Sequence, residues 1–232
     1  MWRYKDGQAT EIWKGADGPL MEPAAISFDG LRAAVILRKQ GKRTLNTLSA
    51  DGGDLRPLAP AIDVSSSASW SPDGKWIAAG GSDKEGSGLF KIPVDGGEPL
   101  RLAKGVALHP AWSPDGALIV YAGPAVGNTG PLLMVRPDGS AVQAPPIQLR
   151  TGGVRYRFVP GRRELIYMPG SQRSPGDFWL LDLSTGKTRR LSNFDNQTIR
   201  TFDITPDGKQ IVFDRLKENS DIVLIDLPPR NK

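Results

Sequence analysis

The stretch Ala68-Ser69-Trp70-Ser71-Pro72-Asp73-Gly74-Lys75 decides the fold, because its tetrapeptide 71–74 has the residues of a tight turn. Serine at the first position, proline at the second and glycine at the fourth are typical of a type I β-turn. An apolar run at 76–79 follows the turn. Short apolar runs bounded by turns predict strands that are buried on both faces. The stretch therefore predicts two strands joined by a tight turn.

This turn recurs along the whole chain, which is the sign of an internal repeat. Its second residue falls at positions 28, 72, 114, 160 and 206, with spacings of 44, 42, 46 and 46 residues. The clearest copies are Pro72-Asp73-Gly74, Pro114-Asp115-Gly116 and Pro206-Asp207-Gly208. A second series of turns lies between them, and its glycines at 7, 52, 96, 139 and 186 are spaced by 45, 44, 43 and 47 residues. Two interleaved series with one period establish the repeat.

Each repeat predicts four short antiparallel strands, A to D in chain order. Pro57 and Pro99 fall in strand D, where a missing backbone donor costs least if that strand is the outer edge. Units of about 40–45 residues with four strands are typical of β-propeller blades. The residue two before the second turn position is always large and apolar, so we expect a core side chain there in every blade. These residues are Ile26, Trp70, Trp112, Phe158 and Ile204.

The repeat divides the chain, residues 1–232, into blades of a single all-β domain. We expect a partial blade with strands C and D at 1–15, full blades at 16–59, 60–104, 105–147 and 148–192, and a last blade at 193–232 with strands A to C and a tail. This strand order predicts a six-bladed propeller that is incomplete at its N-terminus, and therefore a fragment of a longer polypeptide. The alternative is a closed five-bladed ring in which residues 10–13 complete the last blade.

Composition excludes several classes of function. The chain has no cysteine and one histidine, His109, so thiolate and multi-histidine metal sites are excluded and we expect no metal or cofactor. No apolar run reaches the ~18 residues of a membrane span, so we expect no membrane contact. The net charge of +5 is spread along the chain, which argues against a nucleic-acid partner. With no Gly-x-Ser-x-Gly motif, we expect no enzyme activity from this chain.

The candidate site lies where strand A of each blade begins, beside the central channel of a propeller. The candidate ligand-binding residues at this channel mouth are His109, Arg155, Arg157, Arg200 and Asp203. The arginines make one mouth cationic and suited to a carboxylate or phosphate group. The alternative is that they pair with Asp203 or Glu22 or are solvated, and that His109 is a hydrogen-bonded rim residue.

Two stretches carry a resemblance to known families. Residues 68–75 and Pro110-Ala111-Trp112-Ser113-Pro114-Asp115-Gly116 resemble the TolB-like β-propeller repeat, without the Gly-His and Trp-Asp marks of WD repeats. Residues 200–227 look like the C-terminal propellers fused to bacterial serine/threonine protein kinases and winged-helix regulators. The resemblance implies a non-catalytic sensor, protein-interaction or ligand-binding domain of a larger bacterial signalling protein.

Two other functions stay open. The resemblance also fits a substrate-gating propeller of a prolyl-oligopeptidase-type hydrolase, or a TolB-type periplasmic scaffold. In each case we expect a protein partner or a small ligand. The residues leave the compartment open, and the resemblance favours the periplasmic or extracytoplasmic face over the cytoplasm.

Overall fold

The computed structural model describes residues 1–15, 17–152, 155–170, 176–194 and 199–214, and every regular element in these ranges is a β-strand. This part of the chain therefore has no helix that could cross a membrane. The strands are β1 (Trp2–Lys5), β2 (Gln8–Glu11), β3 (Ala25–Ile26), β4 (Arg32–Lys39), β5 (Lys42–Ser49), β6 (Arg56–Leu58), β7 (Asp63–Trp70), β8 (Trp76–Asp83), β9 (Gly86–Pro93), β10 (Leu100–Lys104), β11 (Leu108–Trp112), β12 (Ile119–Ala122), β13 (Thr129–Val135), β14 (Ala141–Val142), β15 (Gln148–Arg150), β16 (Tyr156–Phe158), β17 (Glu164–Tyr167), β18 (Trp179–Asp182), β19 (Thr188–Arg190), β20 (Phe202–Ile204) and β21 (Ile211–Phe213).

The strands form a series of antiparallel sheets that follow one another in chain order. The N-terminal hairpin is β1–β2, and sheet I has the order β3-β4-β5-β6. Sheet II contains β7 to β10 and sheet IV contains β16 to β19, again with sequential strands side by side. Sheet V is the pair β20–β21. Strand D is therefore the outer edge of each four-stranded sheet, and the predicted all-β architecture of four-stranded units is confirmed.

Sheet III, with β11 to β15, has a divided outer strand. Strand β13 pairs with β14 at one end and with β15 at the other, where Thr129 opposes Arg150. Between the two pieces lie Pro145 and Pro146, which have no N–H to give to a sheet. Sheet III thus extends to Arg150, beyond the boundary expected at residue 147.

The core lies between the sheets, because the inner strands are covered on both faces. In β4, Ala34 and Ile36 pack against sheet II, whereas Val35 and Leu37 pack on the opposite face against a cluster that includes Trp13. This alternation follows the two-residue period of a strand. Comparable clusters join sheets II and III, sheets III and IV, and sheets IV and V. The exception is β21, where Val212 is 62 % exposed, contrary to the expectation that this strand is buried on both faces.

The tight turns between strands A and B repeat one hydrogen-bond pattern in sheets I, II, III and V, whereas sheet IV has Val159 at the hydroxyl position and keeps the backbone hydrogen bonds alone. The Ser71 hydroxyl donates to Asp73 Oδ1 over 2.6 Å and accepts from the Trp76 N–H over 3.0 Å. Ser113 repeats these contacts in sheet III and Thr205 repeats them in sheet V. Gly74 closes the turn with a φ of 68°, a left-handed conformation that glycine adopts without strain.

The expectation of a core side chain two residues before each turn position is wrong at Ile26. Trp70 is 2 % exposed, and its Nε1–H donates to the carbonyl of Ala25 over 2.9 Å. Ile26, at the same repeat position, is 57 % exposed. It pairs with Ala33 and so shares the face of sheet I that packs against the N-terminal segment. That face is covered around Leu37 and Leu48, and the cover does not reach Ile26.

The ends of the described structure bear on the blade number. Strands β1 and β2 form an antiparallel hairpin where strands C and D of a partial blade are expected, and Met1 and Trp13 pack beside sheet I. Strands A and B of the last blade are β20 and β21. The expected strand C of the last blade follows β21 and lies outside the described residues, which end at 214. Six blades or five therefore stays a prediction.

Candidate functional site

The first strands of the sheets surround a cavity of about 550 Å³, which we call the channel-mouth cavity. Strands β3, β7, β11 and β16 form its wall together with residues 22–24 and Thr201. In every repeat, the residue five places before the second turn residue lines the cavity. Its side chain differs from repeat to repeat, and only two of the five are chemically alike, because both carry a hydroxyl group. These residues are Pro23, Ser67, His109, Arg155 and Thr201. The ionisable groups on the wall are Glu22, His109, Arg155, Tyr156 and Arg157.

A bulge in strand β11 and the serine-rich strand β7 hold His109 in place. The β11–β12 register shifts between Leu108 and Ala111, and His109 has a left-handed φ of 50°, which histidine tolerates better than most residues. Its N–H donates to Ser66 Oγ over 2.8 Å, and its Nδ1 lies 3.0 Å from Ser67 Oγ. The Tyr156 hydroxyl donates to its carbonyl oxygen. Contacts from sheets II and IV therefore fix both the backbone and the ring.

The environment of His109 keeps its imidazole neutral. Burial lowers its pKa to about 4, and the positive charges of Arg155 and Arg157 act in the same direction. At pH 7 the ring therefore takes part as an uncharged hydrogen-bonding group. An uncharged, hydrogen-bonded ring fits the rim role that the sequence offered as the alternative, and ligand contact by His109 stays a prediction.

Arg155 is buried in the wall of the cavity and is only 8 % exposed. Its Nε has no hydrogen-bond partner among the described residues. Burial lowers the pKa of its guanidinium group. Trp112 also lines the cavity, and its buried Nε1 has no hydrogen-bond partner among the described residues, whereas the Nε1 of the equivalent Trp70 donates to a backbone carbonyl. Two residues of the wall thus carry a buried N–H donor without an acceptor in the described structure.

The other charged residues near the mouth have partners. Arg157 Nε lies 3.5 Å from Asp203 Oδ1 in an exposed ion pair, one of the pairings that the sequence offered as an alternative. Glu22 lies 4.0 Å from Arg43, and burial raises the pKa of its carboxyl group. Asp203 does not line the cavity.

Arg200 also lies off the cavity wall. It is exposed, and its backbone N–H donates to Asp214 Oδ1 over 2.8 Å. Of the five candidate residues, the structure therefore brings His109, Arg155 and Arg157 together on the wall, and Arg200 and Asp203 do not line it. No cluster of three or more potential metal ligands occurs in the ranges that the structure covers.

Two residues of the site escaped the sequence analysis. Ser66 fixes the His109 backbone, and Tyr156 ties sheet IV to the same residue. The run of three serines at 65–67, unusual in a strand, was the available signal for the first. Tyr156 carried none, because an apolar strand position is expected to hold an aromatic ring.

Comparison with known proteins finds the fold and no sequence family. No protein-family model matches the chain, and no curated protein matches it either. Among solved structures, a putative TolB from Agrobacterium tumefaciens superposes with a TM-score of 0.61 at 21 % identity over 84 % of this chain and 74 % of that one. TolB from Acinetobacter baumannii gives a TM-score of 0.62 at 17 % identity over 81 % of this chain and 46 % of that one.

A third similar structure is one of two prolyl endopeptidases whose inter-domain dynamics were analysed for their role in catalysis and specificity. It superposes with a TM-score of 0.65 at 12 % identity over 92 % of this chain. The chain spans 35 % of that protein, so the match is to part of a larger molecule. At such identities the likeness concerns architecture. Together with the four-stranded sheets, it shows that the chain has a TolB-like β-propeller fold.

Proposed function

We propose that this propeller is a non-catalytic recognition domain that binds a protein partner or a small ligand at the channel-mouth cavity. One observation carries the proposal. The residue five places before the second turn residue lines the cavity in all five repeats, while its side chain ranges from proline to arginine. When a repeat keeps most of its turns but varies the side chains of its cavity wall, that variation supports selective contact with a ligand or partner in the cavity. We place this domain in a larger bacterial signalling protein, as its sensor or interaction part.

The geometry of Ser67 and His109 argues against hydrolysis. Their 3.0 Å contact resembles a nucleophile and its base, but a base with a pKa of about 4 removes protons poorly at pH 7. In serine hydrolases a carboxylate orients the histidine and stabilises its cation. Here the charges that act on His109 are those of Arg155 and Arg157, which disfavour that cation.

Site-specific photocrosslinking tests the recognition function. A photoreactive amino acid at Thr201, on the cavity wall, is compared with one at Arg189, on the outer strand β19. In cells of the source bacterium we expect an adduct of defined mass at position 201, which excess unlabelled chain suppresses. Equal adducts at both positions, or none at 201, contradict the proposal.

The wider context has its own test. We expect the native gene product, captured with an antibody against this region, to be much heavier than the 232-residue chain. An attached kinase or winged-helix domain supports the signalling role. A native product of the same mass as the chain contradicts it.

The similarity to a prolyl endopeptidase favours one second candidate, a propeller that gates substrate for a hydrolase domain of the same polypeptide. The superposition covers 92 % of this chain. The mass measurement separates the two candidates, because an attached hydrolase domain supports gating over signalling.

A further inference from the structure

We propose that the channel-mouth cavity contains a carboxylate-binding subsite centred on Arg155, an inference that rests on the proposed recognition function. The ligand group is a single carboxylate, on a small organic acid or on a peptide segment of a partner. Arg155 receives it through its guanidinium group.

The first argument is the unusual state of Arg155. Other arginines with little exposure have partners within the fold: Arg101 pairs with Asp83 and also donates to the carbonyl of Ser87 over 2.9 Å. Arg155 is 8 % exposed and has no ion pair among the described residues. A buried cation without a counter-charge is strongly unfavourable unless something else compensates it. An anion in the adjoining cavity supplies that compensation.

The second argument is the charge balance of the wall. Arg157 is paired with Asp203, Glu22 lies near Arg43, and His109 is neutral. Arg155 is left as the single uncompensated positive charge on the described wall. One positive charge matches a monoanion, and a second negative charge on the ligand would meet Glu22 in the same cavity.

The third argument is the shape and character of the wall. Arginine binds carboxylates in a planar, two-pronged geometry. The rings of Trp70, Trp112 and Phe158 also line the cavity. This favours a ligand with an apolar body and one carboxylate.

The unique histidine provides the readout for a direct test. His109 Cε1–H gives one imidazole NMR signal in the full chain, because the sequence has no other histidine. The probes are acetate, N-acetylalanine and the tripeptide N-acetyl-Ala-Ala-Ala, with N-acetylalaninamide as the uncharged control, all at constant ionic strength. We expect a saturable shift with the carboxylates and none with the amide. A carboxylate near the arginines also raises the pKa of His109.

Matched variants tie the signal to Arg155. Arg155→Met should abolish the shift, and Arg155→Lys, which keeps the charge without the fork, should weaken binding at least tenfold. Arg162→Met, on an exposed arginine of the same sheet that pairs with Glu164, should bind like the wild type. Equal responses from amide and carboxylate, or unchanged binding in Arg155→Met, overturn the subsite. Tighter binding of inorganic phosphate than of N-acetylalanine overturns its carboxylate class.

Stability supplies a readout that does not need a ligand. If Arg155 is held unpaired for binding, Arg155→Met removes an uncompensated buried charge, and the melting temperature should stay equal or rise. A clear fall that Arg155→Lys does not share overturns the proposal, because it shows that the charge at this position is paired within the fold, whereas lost packing of the side chain would affect both variants. If that variant fails to fold, Arg155→Lys carries the binding test.

The two sources of the carboxylate are distinguished by the probes. A tripeptide that binds at least tenfold tighter than acetate supports a peptide segment, and equal affinity supports a small acid. The subsite and the recognition function also fail separately. An adduct at position 201 that persists in Arg155→Met rejects the subsite alone, whereas N-acetylalanine binding without any adduct rejects the cellular recognition function alone.

Discussion

The two ends of each first strand differ in how strictly they repeat. At the turn end, the same contact of a hydroxyl with an aspartate occurs at Ser27, Ser71, Ser113 and Thr205. At the channel end, the wall position changes from Pro23 to Arg155 around the cavity. The turn end satisfies backbone groups of the connection between strands A and B, while the variable side chain at the channel end lines the cavity. The difference teaches that one short strand carries both the constraint of the fold and the freedom of the site.

The largest expected effect concerns the strand position just before the turn. Trp70→Ala should lower the free energy of unfolding by about 3–5 kcal/mol, because it empties a buried site between sheets I and II. Ile26→Ala, at the equivalent exposed position, should cost less than about 1 kcal/mol. Urea denaturation of both variants checks this, and equal losses would show that Ile26 is buried in solution.

The next largest effect on the free energy of unfolding is expected when a hydroxyl group is removed at the turn end of a first strand, compared with one at the channel end. Ser113 is fully buried, and Ser113→Ala leaves the Leu118 N–H without its acceptor at 2.9 Å, so we expect a loss of about 1–3 kcal/mol. Ser67→Ala, at the channel end, should cost less than about 1 kcal/mol. Denaturant titration decides the order, and a larger loss at Ser67 would break the division between the two ends.

As the pH falls, the channel end and the turn end should lose their contributions to stability in different pH ranges. The folded-state pKa of His109 is lowered from 6.5 to about 4, so the unfolded chain binds this proton more readily. Its contribution to stability is complete above pH 6.5 and is lost as the pH falls to 4, by up to about 1.4 kcal/mol per pH unit. The hydrogen bond from Ser71 lowers the pKa of Asp73 below 3.8, so that contribution is lost only at still lower pH.

The variant His109→Asn isolates the first range, because asparagine also tolerates a left-handed backbone. Its free energy of unfolding should lack the His109 slope between pH 6.5 and 4. Asp73→Asn should change only the limb below about pH 4. An unchanged slope in His109→Asn would mean that the ring is not buried as described.

The smallest effect is expected at the margin of the cavity. Asp203→Asn removes the exposed ion pair with Arg157, and we expect a change below about 0.5 kcal/mol in urea. A loss above 1 kcal/mol would show that Asp203 belongs to the structural part of the strand.

The repeat made most of the fold predictable, because period, turn chemistry and apolar runs agree at every level. The outer position of strand D followed from two prolines. The exposure of Ile26 did not follow from the sequence, because it depends on which strands cover sheet I and not on the residue itself. The local sequence around Pro145 and Pro146 likewise did not predict that the outer strand of sheet III is divided.

The site was predictable by position and less so by pairing. Counting back from each turn located His109 and Arg155 on the cavity wall, because equivalent positions in a repeat face the same way. It could not show that Arg157 would be paired and Arg155 would lack a partner in the described structure. Ion pairing depends on side-chain distances across sheets, which a repeat pattern does not encode.

The apolar clusters between sheets also determine how this molecule responds to force. The cluster around Trp70 is shared by sheets I and II, and the one around Trp112 by sheets II and III. A chain of nearest-neighbour contacts of this kind can come apart in steps. Under tension in an optical trap, the sheets should unfold one after another. Each step should lengthen the molecule by about the contour length of one repeat.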